Sequence, residues 1–368
     1  MKHKFLISSC CGLGNFIQKT PMIKALYEIF PETNIDAIVC EETNNPLFKN
    51  SIDNIENVFK NSKYIKNKIY YKNNKSIIAI IKFALEIRKE NYQYIFFSFS
   101  DRISLLTKIL LIILCKSKIV LHYHSLKSFK RYIRIIFYAF YPNVVLVPII
   151  PARKEIDLNY DLLQATIDKP IKRNYETFIH GVKDEGILKK LNLSKFEYII
   201  IQPSASSGQP TPKICSLNKM VKICQHIHSE FPDLKICTIG NQGDYDNIIY
   251  KLMDECKFLL SSGITSVDDA SNLMRYSLVS ILHDSGSLHI GAAVNANIIA
   301  LIGPTDSSRI LPLNKNIKVI KSENECTNLM YNFKMNEKQI MKKFPDGYCM
   351  KDIQISKIID EINSFISL

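Results

Sequence analysis

Asp284-Ser285-Gly286-Ser287 closes an apolar run, Leu278–His283, and opens a stretch of small residues that reaches Asn295. An acid, two hydroxyls and a glycine at a strand-to-helix turn suit a diphosphate. Glycine lets the ligand approach the backbone, free N–H groups and the helix dipole hold its charge, and the serines add hydroxyl bonds. The same residues also suit a plain helix cap, and pattern alone does not choose. His289, on the following helix, is either a ligand contact or a core histidine. A second segment, QPSASSGQPTPK, follows the apolar run Tyr198–Ile201. Pro210 and Pro212 fix its path and Lys213 supplies one cation, a clamp for a leaving phosphate if it faces Asp284 and a surface lysine if it does not. Near the start, CGLGNFIQKTP places Gly12 and Gly14 between strand and helix, but it lacks the third glycine of a dinucleotide fingerprint and the Lys-Ser/Thr of a P-loop.

These residues need a scaffold, and the chain supplies strand-like runs alternating with helical periods. The first set is Lys4–Cys10, Ile35–Cys40, Ile55–Lys60, Tyr94–Ser100, Lys118–Tyr123 and Val144–Ile149, with helical patterns over Phe16–Ile29, Ser76–Glu90 and Leu105–Cys115. The second is Tyr198–Pro203, Leu234–Gly240, Lys257–Ser261, Leu278–His283, Asn297–Gly303 and Ile317–Lys321. Each set makes a doubly wound α/β sheet, and Pro148, Pro151 and Pro170 bracket one connecting helix. At 368 residues and 46% apolar composition the chain suits two domains, 1–168 and 169–368. In open sheets of this kind ligands gather at the carboxyl ends of the strands.

Charge divides unevenly. Residues 1–150 hold 22 Lys and Arg against 10 Asp and Glu, whereas 151–368 hold 26 against 25. An anionic partner is therefore expected for the first part: a phosphorylated substrate, a membrane surface or a nucleic acid. The cluster Lys127, Lys130, Arg131 and Arg134 is either its dock or one solvated helix face. The apolar tracts 109–115 and 135–150 are short or broken by Pro142 and Pro148, against about 20 residues for a membrane span. No secretory leader is read at the start, so a cytoplasmic location is expected. Ten cysteines with no CxxC spacing read as reduced, mostly buried thiols and not as a metal site.

HDSGSLHIGAAVNANIIALIGPTDSSR resembles the (N)D(T/S)GxxHxAAAxxxPxxAxxGxTxxxR signature of glycosyltransferase family 9, the heptosyltransferases of the lipopolysaccharide inner core. CGLGNFIQKTPMIKALYEIFP is similar to the family's opening GxGDxxxxTPxxxALxxxFP, RKEIDLNYDLL to its connector helix, QPSASSGQPTPKICSLNKM to its PxAxxxxKxW segment, and CMKDIQISKIIDEI to its closing CMxxIxxxxV helix. The resemblance runs through nearly the whole chain in order. It implies the GT-B fold, two Rossmann-like domains facing across a cleft, the first binding acceptor and the second nucleotide sugar. It also implies inverting transfer without a metal from a nucleotide-diphospho-sugar, usually ADP-heptose, to an anionic lipid-linked acceptor at the inner membrane face.

By position, Ser285, Gly286, Ser287 and His289 would bind the diphosphate with Asp284 nearby. Lys213, with Ser206 and Ser207, would neutralise the departing phosphates, and Asp244 in GNQGDYD would approach the ribose. Inverting transfer needs a base for the acceptor hydroxyl. The family keeps an aspartate in the opening motif where this chain has Asn15, and an amide accepts no proton at neutral pH. Asp101, in FSFSDRIS, is the substitute, or else a helix cap or a partner of Arg102; His122 and His124 are further candidates. Cys215 stands where the family usually has Trp, and Asn297 where it often has Pro. The alternatives are another nucleotide sugar serving O-antigen, capsule or glycoprotein assembly, or a catalytically lapsed binding protein motivated by Asn15. Nucleic acid is not expected as a partner.

Overall fold

The computed structural model describes residues 3–41, 55, 58, 62–72, 76–123, 129–151, 153–181, 183–205, 208–330 and 335–367, with backbone alone at 40, 41 and 129–132. The chain divides into two compact units, Met1–Tyr175 and Glu176–Leu368.

Unit 1 is built on β1 (Lys4–Ser8), β2 (Asn34–Glu41), β3 (Asn67–Lys72), β4 (Tyr94–Phe97), β5 (Lys118–Tyr123) and β6 (Val144–Pro148). They form one sheet in the order β3-β2-β1-β4-β5-β6, every pair parallel. Phe5, Leu6 and Ile7 of β1 and Ile95, Phe96 and Phe97 of β4 are all buried, as strands covered on both faces must be. Helices Ile77–Lys89, Leu105–Leu114 and Phe129–Ala139 cover one face, through a core of Phe83, Ile87, Leu111, Ile112 and Tyr138 against Ile95, Phe97 and Leu121. Ser76 and Ser104 cap the first two by accepting the N–H groups of Ala79 and Thr107. The expected Phe16–Ile29 helix is two helices, Leu13–Ile17 and Thr20–Ile29, and the connector helix is Glu155–Gln164.

Unit 2 repeats the winding. Strands β7 (Tyr198–Gln202), β8 (Lys235–Thr238), β9 (Leu260–Ser261), β10 (Val279–His283), β11 (Ile298–Ile302) and β12 (Ile317–Lys321) lie in the order β12-β11-β10-β7-β8-β9, all parallel. β7 takes the place of β1. Helices Leu217–Glu230 and Ile355–Ile366 close one face over Ile199, Ile201, Ile281 and Ile299. Among the described residues no helix is long and apolar enough to cross a membrane.

Two expectations are corrected. Of the strand expected at Ile55–Lys60, the described residues are Ile55 and Val58, both helical and buried, three residues apart as one face of a helix requires, and the edge strand of the described sheet is Asn67–Lys72. That strand was hidden by its own alternation, since Asn67, Tyr70 and Lys72 are exposed while Tyr71 is fully buried. Nor are the cysteines all reduced, because Cys326 and Cys349 form a disulfide within a small cluster with Met330, Ile340 and Phe344. They are 23 residues apart in sequence, a spacing with no motif to mark it. The segment is held close to the turn after β11, where a Cβ on Gly303 would run into Met350 Sδ and the Cys349 carbonyl. Cys326→Ser should lower the unfolding free energy by about 3 kcal/mol under oxidising conditions, by loop closure. Denaturant titration with and without dithiothreitol checks this: the difference from wild type should vanish in reductant.

Candidate active site

In both sheets the winding reverses beside the central strand, between β1 and β4 and between β7 and β10, so the loops leaving those strands diverge and open a crevice at their carboxyl ends. In unit 2 the diverging loops are the two singled out in the sequence. β10 ends at His283, a completely buried residue. Its Nδ1 lies 3.0 Å from the Gln202 carbonyl and its Nε2 accepts the Cys215 N–H at 3.1 Å. The bond from Cys215 requires a lone pair on Nε2, so the proton resides on Nδ1 and is donated to Gln202. One imidazole thus ties β7, β10 and the loop carrying Lys213 together.

Lys213 Nζ stands 3.0 Å from Asp284 Oδ2, both side chains largely buried. Ser285 occupies the N-cap position of the Gly286–Ala293 helix, yet its side chain makes no capping bond. Its hydroxyl instead donates to Gln202 Oε1 at 2.7 Å. The capping alternative is therefore not used, and the first-turn N–H groups have no side-chain acceptor from the cap. His289 lies one turn in, buried, and its Nδ1 has no hydrogen-bond partner among the described residues. Burial holds the His289 pKa down at about 4, with Asp284 opposing the shift and Lys213 adding to it. Lys213, Asp284 and His289 thus form one electrostatic cluster at a helix N-terminus, an arrangement suited to an anion.

Asp244 is spent on structure. Its Oδ1 accepts the Ser204 hydroxyl at 2.7 Å and its Oδ2 the Asn241 N–H at 2.9 Å, in a reciprocal capping box. Burial still raises its pKa. The carboxylate joins the β7 loop to the β8 loop, where Gly208, at φ +74°, passes so close to the Gly243 carbonyl that a Cβ would collide with it. Ser206 and Ser207 lie outside the described residues. Two later signature positions are present: Thr305 is buried with no hydrogen-bond partner for its hydroxyl among the described residues, and Arg309 is buried.

At the unit 1 crevice, Asn15 sits half-buried in the Leu13–Ile17 helix, and a Cβ built on Gly12 would meet nothing within 4 Å. The Arg102 N–H donates to the Cys10 carbonyl at 2.9 Å, tying the Asp101 loop to the loop before Asn15. The Asp101 side chain is fully buried; Oδ1 accepts the Ile103 N–H at 2.7 Å and lies 3.3 Å from Lys108 Nζ. Oδ2 has no hydrogen-bond partner among the described residues. The ionic partner is thus Lys108 and not Arg102. Asp101 lines a cavity of about 280 Å³ with Ser98, Lys108, His122, Arg134 and Tyr138. His122 Nδ1 accepts the Phe99 N–H at 3.0 Å, so the neutral ring carries its proton on Nε2 and has no lone pair for a substrate. His124 and Lys127, and the side chains of Lys130 and Arg131, lie outside the described residues. Among the described residues no three His, Cys, Asp or Glu side chains group as metal ligands.

Two doubly wound parallel sheets, the second with an uncapped helix N-terminus beside a paired lysine, define a GT-B glycosyltransferase. Residues 121–339 match the model of glycosyltransferase family 9 (heptosyltransferase). A glycosyltransferase family 9 protein from Veillonella parvula superposes with a TM-score of 0.71 at 14% identity, over 99% of this chain and 97% of that one. ADP-heptose lps heptosyltransferase II of E. coli gives 0.67 at 14%, over 100% and 99%, and E. coli heptosyltransferase WaaC with ADP gives 0.66 at 13%, over 98% and 99%. No curated protein matches the chain by sequence. The chain belongs to glycosyltransferase family 9 and is a glycosyltransferase.

Sequence reasoning missed His283, Gln202 and the buried Lys19, whose Nζ donates to the Ser8 carbonyl at 2.8 Å beneath the opening loop. Gln202 and His283 end the two central strands, and that position was the available signal. Both buried histidines set a pH dependence. An unfolded chain protonates them near pH 6.5, whereas burial holds both native pKa values near 4. The unfolded state binds more protons across that interval, so stability is full above about pH 6.5 and is lost as pH falls toward 4. His289→Asn should flatten the fall by up to about 1.4 kcal/mol per pH unit, one proton's worth. Urea titrations between pH 4.5 and pH 6.5, about one step per half unit, measure it; an unchanged slope means the imidazole titrates alike in both states.

Proposed function

We propose that the chain moves a sugar, a heptose from ADP-heptose, with inversion and without a metal, onto a hydroxyl of an anionic lipopolysaccharide-core or related surface-glycan acceptor at a membrane face. The observation that carries this reading is the Lys213–Asp284–His289 cluster at the uncapped helix at Gly286. There the diphosphate meets a cation, helix N–H groups and a buried imidazole whose Nδ1 has no hydrogen-bond partner among the described residues. The relative crystallised with ADP supports the choice of nucleotide.

In this reading the acceptor oxygen bonds to the anomeric carbon as the bond from that carbon to the phosphate oxygen breaks. The electron pair leaves on the diphosphate, where Lys213 and the helix N–H groups stabilise it, with Ser285, Gly286 and Ser287 around it. Ser206 and Ser207 join them by resemblance. Asp244 braces the loop from behind. The hydroxyl proton goes to Asp101 Oδ2, the buried carboxylate oxygen left without a partner, while Asn15 orients the hydroxyl. The basic lining, Lys108 and Arg134, suits an acidic or phosphorylated sugar.

Asn15 favours one other reading, a transferase that retains nucleotide-sugar binding and has lost turnover. One set of measurements separates them. In a thermal-shift panel of ADP, UDP, GDP and CDP, ADP should stabilise most, and a stronger shift with another nucleotide would change the donor. Lys213→Ala should weaken ADP roughly tenfold or more, the worth of a charged hydrogen bond. Asp101→Asn should leave ADP affinity unchanged and cut turnover by about 100-fold or more. ADP binding with no detectable transfer or donor hydrolysis would establish the lapsed reading.

A further inference from the structure

The three helices on one face of the unit 1 sheet turn an unusual surface outward. Their inner faces share one core, so the outer faces are where a layer in water places its charges. Instead, Ile77–Lys89 exposes Ile77, Ile78, Ile81 and Leu85, with Ile78 at 68% exposure. Residues 77, 81 and 85 recur every four positions and form one stripe. Leu105–Leu114 exposes Leu106 and Ile113, and its single charged residue, Lys108, is turned to Asp101 and the Phe97 ring. The outer surface of that helix therefore carries no charge. Ile133 and Ile136 are exposed on Phe129–Ala139, and Phe140 just beyond it is 80% exposed. This one layer holds nine of the nineteen large apolar side chains exposed among the described residues, which is a patch and not scatter.

Charge says what covers it. From Arg102 to Lys154 the chain contains ten Lys and Arg and no Asp or Glu, so two of the three helices and their connections are purely basic. At the end of the Ile77–Lys89 helix, beside Leu85, lies a cavity of about 830 Å³ whose charged lining is Arg88, Lys89, Lys116 and Lys118, with no acid. Tyr92 and Tyr94 also line it. Apolar side chains projecting outward and a basic rim are what the boundary between acyl chains and anionic headgroups selects.

We propose that this three-helix layer lies on an anionic phospholipid bilayer, with its Ile and Leu side chains in the outer acyl region and the Arg88–Lys116–Lys118 cavity on headgroup phosphate. The proposal stands on this surface alone and not on the transfer reaction, so its test needs neither donor nor acceptor. The full chain is sedimented with vesicles of phosphatidylcholine containing phosphatidylglycerol, and with vesicles of phosphatidylcholine alone. Wild type should bind the anionic vesicles and be partly released by salt. Ile78→Glu with Ile113→Glu should lower the partition coefficient by roughly 100-fold or more, about tenfold for each large apolar side chain. Arg88→Gln with Lys116→Gln should lower it about 25-fold, roughly fivefold per charge, and remove the preference for phosphatidylglycerol. All four side chains are exposed, and an unchanged urea midpoint certifies the fold of each variant. Wild type that ignores both kinds of vesicle, or double variants that bind as wild type does, would overturn the proposal. So would a wild-type dimer that Ile113→Glu dissociates and that has no affinity for vesicles, because a second copy would then cover this face.

Discussion

His283 is fully buried and pairs both of its nitrogens, and the way it does so fixes the rest of the second crevice. Its donor nitrogen takes the last carbonyl of β7 and its acceptor nitrogen takes a backbone N–H two residues beyond Lys213. With Gln202 held from behind, its side chain is free to accept Ser285, which draws that hydroxyl away from the helix it would otherwise cap. Asp244 pins the same loop at its start through Ser204. A segment stiffened by Pro210 and Pro212 and fastened at both ends sets Lys213 against Asp284. The lysine is therefore placed before any anion arrives, and a preorganised charge costs no reorganisation when negative charge develops.

The first crevice has the same winding and a different chemistry. Beneath its opening loop Lys19 is buried, bonded to the Ser8 carbonyl and 3.5 Å from Cys11 Sγ. Next to it, Gln18 donates to Glu155 at 2.8 Å and accepts Asn159 on its carbonyl, so the connector helix braces the opening loop. A buried polar network of this kind is costly to disturb, since each group would lose a hydrogen bond that offsets its desolvation. It holds the loop that carries Asn15, and Asp101 lies on the neighbouring loop, tied to it by the Arg102 N–H on the Cys10 carbonyl.

The sequence made the fold legible because parallel strands buried on both faces read as unbroken apolar runs, and eleven of the twelve strands lie where such runs lie. The twelfth, Asn67–Lys72, alternates as a half-exposed edge strand does and was passed over for Ile55–Lys60. The cluster at Asp284 was legible as a motif, although whether Ser285 caps the helix is a matter of one rotamer, which no sequence records. The disulfide was illegible for a different reason: pairing of Cys326 with Cys349 is a long-range consequence of Gly303 packing against the last segment. His283 and Gln202 hold other residues in place, and the only trace of that role in the sequence is a polar residue ending each of two central apolar strands.

The two crevices differ in the charge they gather. In unit 2 Lys213 and the uncapped helix at Gly286 place a cation and free N–H groups around Asp284, and in unit 1 a buried Asp101 pairs with Lys108 at the wall of the cavity. Leu105, Lys108, Arg134 and Tyr138 line the Asp101 cavity and belong to the same two helices that carry Leu106, Ile113 and Ile133 on their outer surface. Packing of their inner faces against the sheet thus leaves these two helices a basic cavity wall on one side and apolar side chains on the other.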